Sequence, residues 1–125
     1  MPRYLYLDDV RFASLNLNEA PGPARTRVKL DLPREMGHTT DARGELARQQ
    51  VDGLILGLNR GWAGRSHFRL MAQAHAKGLP VYFYWPREEA IELVDPARRA
   101  LHLRVAALAR LYSIYRRRPL GSTEP

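Results

Sequence analysis

The hydrophobic positions change rhythm along this chain, and each change predicts an element. Residues 3–7, RYLYL, are aromatic and aliphatic after the arginine and predict a first strand, with Asp8 and Asp9 at its carboxyl end. Residues 10–24 select no single element, and Ala20-Pro21-Gly22-Pro23 marks a turn. Residues 26–32, TRVKLDL, alternate polar and apolar, as a half-exposed strand near a sheet edge does. Thr39 or Thr40 suits the cap of a helix running to about Gln50, with Asp41 in its first turn.

The rhythm then becomes continuous. Gly53 to Leu58 and Val81 to Trp85 are short unbroken apolar runs, the mark of strands buried on both faces. Between them a helix is expected from Ser66, its cap, to Lys77, closed by Gly78 and Pro80. Residues 51–85 therefore predict a right-handed strand–helix–strand unit. Glu88 to Leu93 predicts a short helix. Residues 96–118 carry no acidic residue and no Gly or Pro after Pro96. Their apolar positions, including Ala97, Leu101, Val105, Leu108, Tyr112 and Tyr115, form a wide face on a long C-terminal helix. Such width suits a subunit interface over 97–115, hence a homo-oligomer. The expected architecture is α/β: a small three-layer, Rossmann-like sandwich on a mainly parallel sheet of four or five strands. Residues 1–118 form one domain and 119–125 a disordered tail.

Composition narrows the function classes. The chain of 125 residues fits a single core. No apolar run approaches the roughly 20 residues of a membrane span, and the N-terminal residues lack the pattern of a signal peptide. With no cysteine there is no disulfide framework, thiolate metal site or Cys nucleophile. A cytoplasmic protein without membrane contact is expected. The net charge is +7, and all of the 20 basic residues except Lys29 and Lys77 are Arg. That balance suits anionic partners without specifying one.

Candidate chemistry concentrates at one edge. Ligands of open parallel sheets bind outside the carboxyl ends of the strands. Here that edge holds Asp8, Asp9, the loop Asn59-Arg60-Gly61-Trp62-Ala63-Gly64-Arg65-Ser66 and residues 86–88. Free N–H groups at a helix start favour a phosphate, the arginines add charge, and Trp62 offers a stacking surface. His67 lies in the first turn beside this loop. Asn59, Arg60, Gly61, Trp62, Gly64, Arg65, Ser66 and His67 are thus the candidate ligand residues. The loop matches neither a Walker A motif nor G-x-G-x-x-G, and no G-x-S-x-G elbow surrounds Ser66. His38, His67, His75 and His102 lack metal-ligand spacing, so neither metal nor cofactor is expected. A second candidate surface is the basic side of the C-terminal helix: Arg98, Arg99, Arg110, Arg116, Arg117 and Arg118. It suits nucleic acid or an acidic protein surface.

The stretch VDGLILGLNRGWAGRSHFRLMAQAHAKGLPVYFY resembles the second half of the nucleoside 2-deoxyribosyltransferase-like family. The matching features are Asp52 before an apolar strand, Gly61, Trp62 and Ser66 in the loop, then Gly78 and Pro80 before the next strand. The resemblance implies a nucleotide- or nucleoside-binding domain. It also implies a nucleophilic Glu eight residues before the glycine, where this chain has Leu70. The helix from Ser66 to Lys77 carries no carboxylate, so covalent glycosyl transfer would need another one, with Asp8 and Asp9 the candidates. The expected function is binding of a nucleotide or nucleoside-like molecule. The alternative is an interaction protein of a phage or mobile element, docking on nucleic acid or a nucleic-acid enzyme through the basic helix.

Overall fold

The computed structural model describes residues 2–19 and 21–98. Its strands are β1 (Arg3–Leu7), β2 (Arg11–Asn16), β3 (Thr26–Arg27), β4 (Gly37–His38), β5 (Gly53–Gly57), β6 (Val81–Trp85) and β7 (Ala90–Leu93). Its helices are α1 (Ala42–Arg48) and α2 (Arg65–Ala76). All seven strands join one sheet in the order β3-β7-β6-β5-β1-β2-β4.

The apolar runs form the centre of this sheet. β5 is buried at every position and pairs in parallel with β1 and β6. The expected strand–helix–strand unit is present as β5–α2–β6. The flanks overturn the expected architecture. The sheet is mixed and seven-stranded, not a mainly parallel sheet of four or five strands: β1–β2, β2–β4, β3–β7 and β6–β7 are all antiparallel. Two hairpins begin this, and β4 and β3 extend it at the two edges of the sheet. Residues 11–16 fold straight back on β1, with Leu7 opposite Phe12. Residues 90–93, expected as helix, fold back on β6 through residues 86–89, with Trp85 opposite Ala90. The positive φ of 48° at Glu89 helps close that turn. Pairing with the edge of β6 overrides the local helix preference of a Glu-rich segment.

The three-layer, Rossmann-like reading fails on packing as well. Among the described residues both helices cover the same sheet face. Leu46 of α1 and Phe68, Leu70, Met71 and Ala74 of α2 share one apolar cluster with Leu5, Leu7, Leu54, Leu56, Val81 and Phe83. The opposite face carries Tyr4, Tyr6, Ala13, Leu15, Ile55, Tyr82, Tyr84 and Ile91. It is covered by coil: Leu30 is buried there, and Leu32 and Met36 pack beside it. Leu30 N–H donates to the Tyr84 hydroxyl, pinning that coil to β6. The period-two pattern of 26–32 therefore reflects a chain laid over the sheet, and only Thr26 and Arg27 pair as strand.

Local chemistry sets the remaining bounds. Asp41, not Thr39 or Thr40, caps α1 by accepting from Gly44 N–H at 2.9 Å. Gly57 ends β5 against the Tyr6 hydroxyl, where a Cβ would collide with that oxygen. This hydroxyl is buried with no hydrogen-bond partner among the described residues, and burial pushes its pKa up to about 12. Pro96–Arg98 forms a single 3-10 turn. The rest of the helix expected over 96–118, most of the interface on 97–115 and the tail 119–125 lie outside the described residues.

Candidate functional site

Parallel strands β1, β5 and β6 end on one edge of the sheet, and a cleft of about 280 Å³ opens there. It is lined by Asp9, Asn59, Arg60, Trp62, Gly64, Arg65, Ser66 and His67. Its volume is just under the roughly 300–1,000 Å³ of small-molecule sites.

The two aspartates after β1 have separate fates. Asp8 is buried and tied to Arg11. Its carboxylate accepts from the Arg11 backbone N–H at 2.9 Å and from the guanidinium at 2.7 and 3.0 Å. These bonds close the β1–β2 hairpin, so Asp8 is a structural residue. Asp9, one step further, is exposed and reaches the cleft.

The loop after β5 is anchored at both ends. Leu58 and Ala63 are buried in the helix-side core. Between them Gly61 takes a φ of 83°, a left-handed conformation that suits glycine. Gly61 does not line the cleft. Its N–H donates to Leu58 O at 3.0 Å, and its carbonyl accepts from the Trp85 indole at 3.4 Å. This turn presents Arg60 and Trp62, with the guanidinium 5.9 Å from the ring centre.

α2 starts beside the cleft with Gly64 as its cap, so among the described residues no side chain caps its first-turn N–H groups. The Gly64 N–H itself donates to His67 Nδ1 at 2.9 Å. That bond keeps Nδ1 unprotonated and places the proton of the neutral ring on Nε2. Burial lowers the His67 pKa, while Asp9 and Asp8 pull it upward and Arg60 lowers it further. Arg65 and Ser66 are exposed. Among the described residues the ion pairs are Arg11–Asp8 and Arg48–Glu45, so Arg60 and Arg65 stand without a carboxylate partner.

Leu70 faces elsewhere. It is 3 % exposed and belongs to the apolar cluster between α2 and the sheet. The position at which the resemblance implies a nucleophile is thus core, and Asp9 is the carboxylate that lines the cleft. Of the basic candidates, Arg98 ends the 3-10 turn, while Arg99, Arg110, Arg116, Arg117 and Arg118 lie outside the described residues.

The edge also holds a pair that sequence reasoning missed. Arg25 stacks over the Trp85 ring, 4.2 Å from its centre. No local signal joins these residues. The pairing of β3 with β7 and of β7 with β6 brings the Arg25 segment to the end of β6.

No family model, curated protein or solved structure matches this chain. Among the described residues no helix is long and apolar enough to cross a membrane.

Proposed function

We propose that this chain is a binding domain for a nucleotide or nucleoside-like molecule, held in the cleft at the carboxyl edge of β1 and β5. The observation that carries this reading is the lining itself. Trp62, two arginines with no carboxylate partner among the described residues and a glycine-capped helix start share one small cleft with Asp9. In this reading Arg60, Arg65 and the first turn of α2 take a phosphate. The Trp62 ring takes the base or sugar face. Asp9 accepts a hydrogen bond from a sugar hydroxyl or a base N–H.

The reading keeps the ligand class of the deoxyribosyltransferase-like family but not its covalent step. A leucine in the core cannot attack an anomeric carbon. Calorimetric titration with nucleoside monophosphates, deoxynucleosides and ribose phosphates tests the proposal. Binding is expected for at least one nucleotide and should weaken on Arg65→Ser and on Trp62→Leu. Absence of any binder at millimolar concentration refutes it.

A further inference from the structure

The cleft accounts for one aromatic–arginine pair at this edge, and a second stands beside it. Trp85 ends β6 half-buried, its ring edge-on to Phe83 with centres 6.0 Å apart. Its indole N–H donates to the Gly61 carbonyl, which ties it to the loop that presents Arg60 and Trp62. Arg25 lies over the Trp85 ring and is exposed. Among the described residues Arg25 makes no ion pair.

A guanidinium stacked on one flat ring has chemistry left over. Arg25 is exposed, and an exposed guanidinium can stack a further planar π-system while its N–H donors suit phosphate oxygens. Arg25 on Trp85 and Arg60 beside Trp62 repeat one chemistry at two places joined through Gly61. Alternating stacking surfaces and cations along an edge are how single strands of nucleic acid are held without base readout.

We propose that Arg25 and Trp85 form a second nucleotide subsite. The ligand is then a phosphodiester-linked strand of two or more nucleotides, with one nucleotide in the cleft and the next base stacked at Arg25. This inference rests on the nucleotide reading of the cleft.

The test compares thymidine monophosphate with 5′-phosphorylated dithymidylate and an eight-residue oligothymidylate, and the uridine series in parallel. Affinities are read from tryptophan fluorescence at two salt concentrations, on the wild type, Arg25→Ser and Trp85→Phe. Arg25 is exposed, so its replacement leaves the core untouched. The dinucleotide should bind at least about fivefold tighter than the mononucleotide in one of the two series, as one added stacked base requires. Arg25→Ser should remove that gain and leave mononucleotide affinity unchanged, and the strand should show the steeper salt dependence. Equal affinity for one and two nucleotides in both series overturns the subsite while leaving the cleft reading intact, as does a gain that survives Arg25→Ser. Failure of every nucleotide and strand to bind overturns both.

Discussion

Leu70→Glu places a carboxylate at the position where the sequence resemblance implies one, and it tests whether that point reaches the cleft. Leu70 is 3 % exposed among Phe68, Met71, Ala74, Val81 and Phe83. Truncating a leucine in such a place costs about 2–5 kcal/mol. A glutamate refills part of the volume but brings a group that resists ionisation there, with its pKa raised by up to about 3–5 units. At about 1.36 kcal/mol per unit, ionising the introduced carboxyl adds roughly 4–7 kcal/mol above its folded pKa. That is comparable to the whole stability of a small domain, about 5–15 kcal/mol. The variant should therefore be unfolded, or nearly so, at pH 8. The raised pKa means that the folded state favours the protonated acid, so part of the loss should return toward pH 5. Leu70→Met, which conserves volume, should cost less than about 1.5 kcal/mol. Urea unfolding followed by tryptophan fluorescence at both pH values measures all three proteins. A Leu70→Glu protein within about 1 kcal/mol of the wild type at pH 8 would show that the side chain reaches water, and would refute the placement of residue 70 in the core.

Two further outcomes follow from the hairpin and the helix start. Asp8→Ala leaves the Arg11 N–H without its acceptor and should cost about 1–3 kcal/mol in a thermal or urea melt. Asp8→Asn, which can keep that backbone acceptor, should recover part of it, because its amide NH2 cannot accept from the Arg11 guanidinium. Burial depresses the His67 pKa, so the folded state prefers the neutral ring. The stabilising effect of that preference is complete above the unfolded value of about 6.5 and is lost as the pH falls toward the folded pKa. The unfolding free energy of the wild type minus that of His67→Phe should fall between pH 7 and pH 5. A difference that stays constant contradicts the assignment.

The legible parts of this fold are those in which burial alone writes the pattern. β1, β5, β6 and α2 follow from unbroken apolar runs and from turn residues at their ends. Those runs report burial on both faces, not the direction of the neighbouring strand. A mixed sheet and a parallel one therefore look alike at Leu54, Ile55 and Leu56. β2 was present in the sequence as the alternation Ala13, Ser14, Leu15, Asn16, Leu17, a period-two signal obscured by the Pro- and Gly-rich turn that follows. β7 was not legible, since AIEL has no strand preference until β6 offers it an edge. The site divides in the same way. The loop 59–66 announces itself through glycine, arginine and tryptophan next to a helix start. The difference between Asp8 and Asp9 depends on Arg11 folding back, and the Arg25–Trp85 stack depends on strand order; neither is a local property.

The cleft's role as a nucleotide site is tested most directly by residue-resolved titration. Amide and indole resonances of the ¹⁵N-labelled chain are followed while a nucleoside monophosphate is added. Saturable shifts centred on Asp9, Trp62, Gly64, Arg65 and Ser66, weakened by Arg65→Ser, are the expected result. A saturable response centred elsewhere, or no response at millimolar nucleotide, would contradict the account.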